Sequence, residues 1–280
     1  MKKLSLIIIA LMALSQTAWA QEITWTEVGS ESALTTALSG ESPIYIKLTA
    51  NIELENYLGI GDGENFKPTV TLDLNGHTLD RGLNERIDLG NVIRVQTGCT
   101  LTIKDNSGNN SGTIKGGYDS HGGAICNYGT VTLEGGTITG CTGSSYGGAV
   151  YVVSGGTFTM SGGVIDGCTG DDGGAIYIIE GGAFTMSGGS ITNNTCTNHS
   201  GGAINNHGTC TVSGGSITGN YAKNYGGGIG NFDNGTLTIS GGTISGNWVE
   251  TNGGGVYTSK SITMSGKPYI KDNEGSNLYL

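Results

Sequence analysis

A glycine-rich phrase recurs along the chain, and this repetition constrains the fold more than any other feature. The motif Gly-Gly-(Ala/Gly)-(Ile/Val) begins six times, at intervals of 25, 26, 28, 25 and 27 residues: Gly122, Gly147, Gly173, Gly201, Gly226 and Gly253. A second phrase, apolar-Thr-apolar-x-Gly, lies inside each repeat, as in "FTMSGG". Repeats of this length predict a solenoid. The variable interval favours short strands joined by loops, because loops absorb a residue or two.

Apolar and polar residues alternate within each phrase, as in a β-strand with one buried face. Strands stacked about 4.8 Å apart bury side chains that a lone strand exposes, so the columns should face inward. Glycine pairs between the strands permit positive φ and tight corners. Aligning the repeats gives four apolar columns: Val131, Phe158, Phe184, Cys210, Leu237 and Ile262; Leu133, Met160, Met186, Val212, Ile239 and Met264; Ile138, Ile165, Ile191, Ile217, Ile244 and Ile270; Ile125, Val150, Ile176, Ile204, Ile229 and Val256.

The first 42 residues lack the repeat. Lys2 and Lys3, the apolar run "LSLIIIALMAL" and Ala18-Trp19-Ala20 predict a signal peptide over residues 1–20. The apolar run has about 11 residues, whereas a membrane-spanning helix needs roughly 20. We therefore expect a secreted or cell-surface protein. Residues 21–42 form a predicted N-terminal cap, in which "SESALTTALSG" has the start and stop signals of a short helix. Residues 43–280 form the predicted repeat domain.

The net charge limits the classes of partner that the protein can bind, and the cysteines bear on its compartment and on metal binding. The formal net charge is −10, with 23 acidic and 13 basic side chains. Nucleic acid and anionic membrane surfaces need a basic face, so neither is an expected partner. No segment after the signal peptide is apolar enough to span a membrane. Export would place the six cysteines in an oxidising compartment. None of them has C-x-x-C metal spacing, and we predict no cofactor other than a weak Ca²⁺ ion.

One repeat position holds only cysteine and asparagine. Three residues after the third-column Ile stand Cys141, Cys168, Asn194, Asn220, Asn247 and Asn273. Four consecutive asparagines predict an internal ladder in which each amide bonds the next coil and the turn backbone. Stacked Cα atoms about 4.8 Å apart lie within disulfide range, so Cys141 and Cys168 either form a disulfide or remain two buried thiols.

The segments between the asparagine column and the next glycine pair predict a binding face. They read "CTGSSY", "CTGDD", "NNTCTNHS", "NYAKNY" and "NWVETN". Loops on one side of a solenoid commonly bind ligands, and aromatic rings beside acids and amides suit sugars. The alternative is that each aromatic side chain covers its own loop. The candidate ligand-binding residues are Tyr146, Tyr221, Tyr225, Trp248, Asp171 and Asp172.

Two other patterns suggest different functions. Thr-x-Thr recurs in strand after strand, interrupted at Ala183 and Ser261, and resembles the threonine face of β-helical antifreeze proteins. Exposed threonine is also simply favoured in strands. Glycosidase chemistry needs two carboxyl groups about 5–9 Å apart, and Asp166 with Asp171 or Asp172 is the candidate set. On an acidic protein, an acidic loop is more often solvated, or a weak Ca²⁺ site, than catalytic. The four histidines show no metal spacing.

The chain resembles right-handed parallel β-helix proteins of the pectate-lyase-like superfamily over roughly residues 43 to 280. Gly173-Gly174-Ala175-Ile176 with Ile191 and Asn194 is similar to the GGAI and FxxN repeats of the chlamydial polymorphic outer-membrane adhesins, with Ile replacing Phe. The resemblance implies an all-β fold of about nine coils and a surface role in adhesion or glycan contact. The superfamily also contains polysaccharide lyases and hydrolases, but of the hydrolase motifs only the Asp pair at Asp171-Asp172 is present.

These observations favour an exported, non-enzymatic rod that binds a glycan or host-surface ligand. A polysaccharide-cleaving enzyme is the first alternative, and an ice-binding protein is the second. The segment "IKDNEGSNLYL" ends at Leu280 in a further strand with no cap. That open edge predicts end-to-end self-association as a further interaction.

Overall fold

The computed structural model describes residues 23–63 and 66–280 of the chain, and the predicted signal peptide lies outside them. Short parallel strands, which wind in about nine stacked coils, and one helix, Glu31–Leu38, make up its regular structure. The predicted all-β, right-handed parallel β-helix with a short capping helix is confirmed. No helix among the described residues has the length and apolarity needed to cross a membrane.

Four parallel sheets run along the solenoid, and the six coils from Thr100 to Thr258 visit all four in the same order. The coils before and after them have no strand in the third sheet. The first, called the Thr sheet, has ten strands: Thr26–Val28, Ile44–Leu48, Thr69–Asp73, Thr100–Lys104, Thr130–Leu133, Thr157–Met160, Ala183–Met186, Thr209–Val212, Thr236–Ile239 and Ile262–Met264. The second, called the ladder sheet, has nine: Ile52–Glu53, Thr78–Asp80, Thr113–Lys115, Thr137–Thr139, Val164–Asp166, Ser190–Thr192, Ser216–Thr218, Thr243–Ser245 and Tyr269–Lys271.

The third sheet carries five of the six candidate ligand-binding residues, and Tyr225 lies between the third and fourth sheets in an isolated β-bridge. The edge sheet has six strands: Tyr118–His121, Thr142–Tyr146, Thr169–Asp172, Thr195–Cys196, Tyr221–Ala222 and Trp248–Val249. The Tyr sheet has nine: Leu58–Ile60, Ile93–Val95, Ile125–Asn127, Val150–Val152, Ile176–Ile178, Ile204–Asn206, Ile229–Asn231, Val256–Thr258 and Leu278–Tyr279. The edge-sheet segments were predicted as loops. Because successive coils stack in register, even these short segments pair with their neighbours in parallel.

The apolar columns fill the interior. Phe158 pairs with Phe184 and Ile165 with Ile191 at matched positions of adjacent strands. All members of the four predicted columns are buried except those of the last described coil, where Met264 is 44% exposed.

Each glycine pair makes a corner between the edge sheet and the Tyr sheet. The two positions require glycine for different reasons. Gly173 has a φ of +70°, a left-handed conformation that side chains disfavour. Gly174 has no positive φ, but a Cβ atom there would overlap the carbonyl oxygen of Gly202 on the next coil. The second glycine therefore sets how closely the coils approach at the corner.

The N-terminal end is covered by the helix and one added strand. Ser30 caps the helix, and Leu34 and Leu38 face the core. Thr26–Val28, inside the predicted cap, pairs with Ile44–Leu48 and begins the Thr sheet. The cap therefore also adds a strand to the solenoid, which the sequence did not predict.

Candidate functional site

A continuous row of aromatic rings follows the outer face of the Tyr sheet. The central residue of each three-residue strand points outward, and in several strands it is tyrosine. At Gly230 the ring of Phe232 occupies the space that a side chain would take. We call this row the aromatic ribbon. It consists of His121, Tyr146, Tyr151, Tyr177, His207, Tyr225, Phe232, Tyr257 and Tyr279.

The rings of the ribbon stack along the solenoid axis. Adjacent centroids lie 5.9 Å apart for Tyr151 and Tyr177, 5.2 Å for Tyr177 and His207, and 5.5 Å for Tyr257 and Tyr279. The Tyr151 and Tyr177 planes are inclined by 21° and the Tyr257 and Tyr279 planes by 13°, so these two pairs are stacked, whereas the Tyr177 and His207 planes are tilted by 31°. The hydroxyl groups of Tyr151, Tyr177, Tyr257 and Tyr279 have no hydrogen-bond partner among the described residues and remain available to a ligand.

A cavity of about 380 Å³ opens in the middle of the ribbon. Tyr146, Tyr151 and Tyr177 line one side of it, and Glu180 and Asp233 contribute carboxylates. The Asp233 carboxylate lies 2.6 Å from Nδ1 of His207, which also borders the cavity. Burial raises the pKa of Tyr177 above its ordinary value, so its hydroxyl keeps its proton at neutral pH and can donate a hydrogen bond. Aromatic walls with a few polar groups are typical of ligand-binding cavities.

A second aromatic pair, Tyr221 and Trp248, lies on the edge sheet. We call this pair, together with Glu250 just after the last strand, the Trp248 platform. Tyr221 and Trp248 occupy matched positions of adjacent strands, with ring centroids 4.4 Å apart. The Tyr221 hydroxyl donates to Glu250 Oε1 at 2.6 Å, and this hydrogen bond raises the pKa of Tyr221 to about 12. Trp248 is 41% exposed and belongs to the last strand of the sheet, so no described ring covers its second face.

The two predicted aspartates make separate contacts. Asp172 Oδ1 accepts hydrogen bonds from the Ser200 N–H and the Asn205 amide, and burial raises the pKa of Asp172. Asp171 faces Asn198 and the His199 ring, whose Nε2 lies 3.6 Å from its carboxylate.

Asp166, the third member of the candidate catalytic set, lies on the ladder sheet. Its carboxylate accepts from the Thr192 hydroxyl at 2.7 Å and the Asn193 amide at 2.8 Å. It shares none of these partners with Asp171 or Asp172. Over residues 23–63 and 66–280, no group of three or more His, Cys, Asp or Glu side chains is arranged to hold a metal ion.

The structure therefore distributes the six predicted residues over three places. Tyr146 and Tyr225 join the ribbon, Tyr221 and Trp248 form the platform, and the two aspartates lie on the strand Thr169–Asp172. Sequence reasoning missed most of the ribbon. The available signal was a tyrosine at the centre of the strand phrases "VYV", "IYI", "VYT" and "LYL". The missed members are His121, Tyr151, Tyr177, His207, Phe232, Tyr257 and Tyr279.

The asparagines of the predicted column are linked by hydrogen bonds from coil to coil. Asn220 donates from its main-chain N–H and its side-chain amide to Asn247 Oδ1, and Asn194 donates to Asn220 in the same way. The last rung, Asn273, finds its acceptor within its own coil, at Asn277 Oδ1. The column thus satisfies the buried polar groups of the turn.

The two cysteines continue the same column. The Cys168 N–H donates to Asn194 Oδ1, and both thiols are buried. All six cysteines are free thiols in the structure. Hydrogen bonding with Cys141, together with burial, raises the pKa of the Cys168 thiol well above its ordinary value. The disulfide between them stays a prediction.

The Thr sheet presents two outward columns in register. One is interrupted at Ala183, whereas the other holds threonine on eight successive strands: Thr71, Thr102, Thr132, Thr159, Thr185, Thr211, Thr238 and Thr263. These side chains are exposed or half-buried.

No protein-family model, curated protein or solved structure matches this chain.

Proposed function

We propose that this protein is an exported, non-enzymatic β-helix that binds glycans at the cell surface or outside the cell. The observation that carries the proposal is the Trp248 platform, where an exposed indole face lies beside a carboxylate. An aromatic face packs against the apolar side of a sugar ring, and a carboxylate accepts hydrogen bonds from its hydroxyl groups. Within the proposal, the solenoid is a member of the pectate-lyase-like superfamily with an adhesin role similar to that of the chlamydial surface proteins.

The ribbon supports the same function over a longer distance. Tyrosine hydroxyls occur on adjacent coils at Tyr151 and Tyr177 and again at Tyr257 and Tyr279, and Glu180 and Asp233 add acceptors beside the central cavity. A long row of aromatic rings with polar groups along it suits an extended polymer. We therefore propose that an extended glycan follows the ribbon.

A glycan array probed with residues 21–280 tests the proposal, and calorimetry then measures the affinity for each glycan that binds. Trp248→Ala should weaken binding by about 2 kcal/mol, roughly 30-fold, as expected for an aromatic side chain at the centre of a site. Tyr269→Ala is the matched control, since Tyr269 is similarly exposed but lies on the ladder sheet. Glycan binding that survives in Trp248→Ala, Tyr177→Ala and the double variant would contradict the proposal.

Polysaccharide cleavage is the rival function, and the same preparation tests it. The glycans that bind are incubated with the protein, with and without Ca²⁺, and reducing or unsaturated ends are measured. The proposal expects no release above the blank. Release that depends on Asp166, Asp171 or Asp172 would favour the enzyme.

Ice binding is a second candidate, favoured by the unbroken threonine column. Thermal hysteresis at millimolar protein is the test. If the Thr sheet binds ice, Thr159→Tyr in that column should abolish the hysteresis, whereas Thr243→Tyr on the ladder sheet should preserve it. A wild-type protein with no hysteresis would remove this candidate.

A further inference from the structure

A second cavity, of about 350 Å³, lies at the N-terminal end of the aromatic ribbon. Its lining includes His121 and Tyr151 of the ribbon together with Arg94 and Tyr128. None of these four residues was a predicted site residue. The cavity differs from the central one in that a cation borders it.

Arg94 is held by its position in the coil. It is the outward residue of Ile93–Val95, and its neighbours in the adjacent strands are Gly59 and Cys126. The space beside Gly59 is occupied by the Asp62 carboxylate, which accepts a hydrogen bond from the Gln96 amide. The guanidinium folds over the Tyr128 ring instead, 5.0 Å from the ring centroid. Arg94 Nη2 also donates to the Tyr128 hydroxyl at 2.8 Å. The guanidinium is thus oriented by a ring and one hydrogen bond, with other N–H groups left over.

The acidic groups around the cavity are engaged elsewhere. Asp119 is buried, and its carboxylate accepts from the N–H groups of Gly90 and His121 and from the Ser120 hydroxyl. Asp88 lies 3.5 Å from Arg86 and is almost fully exposed. Over the described ranges 23–63 and 66–280, no carboxylate lies within 4.0 Å of the Arg94 guanidinium.

We propose that this cavity binds an oxyanion, the carboxylate or sulfate ester of a substituted sugar, through Arg94. A guanidinium matches the paired oxygens of such a group with two parallel hydrogen bonds. The sugar ring would lie toward His121 and Tyr151, whose ring centroids are 4.9 Å apart. The inference deepens the proposed function and rests on it, because it makes one end of the ribbon selective for an acidic glycan.

Small ligands test the cavity separately from the platform. Calorimetry or ligand-observed NMR compares methyl glucuronide, glucose 6-sulfate and neutral methyl glucoside, with sodium sulfate and sodium acetate as bare anions. We expect at least one acidic sugar to bind at least tenfold more tightly than the neutral sugar and than its bare anion. Equal binding of neutral and acidic sugars would overturn the inference, and equal binding of the bare anion would overturn the assignment to a sugar.

Variants assign the binding to Arg94. Arg94→Gln should reduce the affinity for the acidic sugar at least tenfold, and Arg94→Lys should retain part of it because the charge remains without the paired geometry. Tyr128→Phe, which removes only the hydroxyl that orients the guanidinium, should give an intermediate loss. Arg86→Gln is the matched control at an exposed arginine nearby. An unchanged affinity in a folded Arg94→Gln protein would overturn the inference.

The two proposals fail in different ways. If acidic sugars bind through Arg94, but no array glycan binds and Trp248→Ala changes nothing, the cavity proposal is supported and the extended glycan site is contradicted. If binding of array glycans requires Trp248, but Arg94→Gln changes the affinity for no acidic sugar, the platform proposal is supported and the cavity proposal is contradicted.

Discussion

Asn220 shows, at the scale of single residues, how the fold treats buried polar groups. Its amide donates to the carbonyls of Ile191 and Thr218 as well as to Asn247, and it is completely buried. A turn packed against other turns has no water for its backbone, so a side chain must supply the hydrogen bonds. The amide has a donor and an acceptor at one end, which lets each rung serve both neighbours.

Replacing Asn220 with Ala should therefore be costly. The substitution leaves the Asn194 N–H and the Ile191 carbonyl without these partners, and each unsatisfied buried group costs about 1–3 kcal/mol. We expect Asn220→Ala to lower the free energy of unfolding by at least about 2 kcal/mol in urea denaturation. Asn273→Ala, at the half-buried end of the ladder, should cost less than half as much. Equal losses at the two positions would contradict the ladder's role.

The raised pKa of Asp172 predicts that the stability of the folded protein depends on pH. Burial raises its pKa in the folded state above the ordinary value of 3.8, so the folded protein keeps a proton that the unfolded chain has released. Its contribution to stability therefore falls as pH rises from about 3.8 through the raised pKa. Asp172→Asn removes this loss while its side-chain oxygen still accepts from Ser200 and Asn205.

We expect Asp172→Asn to be more stable than the wild type at pH 7, with the difference vanishing toward pH 3. Thermal unfolding at a series of pH values measures it. Asp171→Asn removes one negative charge from the same strand and serves as the control. If the two variants were stabilised equally at pH 7, a general charge effect would explain the result and burial would not.

The buried thiols predict a labelling pattern. Burial raises the pKa of Cys210 to about 12, so this thiol is protonated and unreactive at pH 8. Iodoacetamide should leave the native protein unmodified. After unfolding without a reductant, six labels indicate free thiols, whereas four labels with a 141–168 linkage in the mass spectrum indicate the predicted disulfide. Rapid labelling of the native protein would contradict the buried placement of the cysteines.

At the scale of elements, the corner between the edge sheet and the Tyr sheet determines how the coils stack. The second glycine of each pair faces the backbone of the next coil, which cannot move aside without breaking strand pairing. Gly174→Ala should therefore destabilise the protein by at least about 2 kcal/mol through overpacking. Gly63→Ala is the control, since its Cβ would make only an ordinary contact with Phe66. Chemical denaturation compares the two, and a neutral Gly174→Ala would contradict this account of the corner.

The strands of the core were predictable because their signal is local. Period-two alternation and the repeat interval place Phe158 over Phe184 and Ile165 over Ile191, as found. The edge sheet was not predicted, because segments such as "NWVETN" have no alternation. They become strands only through pairing with an adjacent coil.

The aromatic ribbon was missed for a related reason. Its members come from two sheets and a corner, and Phe232 reaches back over Gly230 to fill a vacant rung. Tyr146 belongs to the edge sheet, yet its ring lies 4.6 Å from that of Tyr177 on the Tyr sheet. Such contacts depend on the angle of the corner, which the repeat interval does not encode.

At the scale of the whole molecule, the matched register of successive coils places equivalent residues of the repeats on the same face of the solenoid. One face carries threonine, another carries the ribbon, and the edge sheet carries the Trp248 platform. Each face has its own chemistry, so one rod offers distinct surfaces to different ligands. The proposed glycan site uses the edge and Tyr sheets, while the Thr sheet is left for the ice-binding alternative.

The crystal structure of the protein with the tightest glycan from the array tests this account most directly. We predict electron density for a sugar ring against the indole of Trp248, with hydroxyl groups near Glu250, and for further sugar units along the ribbon. A glycan bound on the Thr sheet, or one that contacts neither aromatic cluster, would contradict the proposed function.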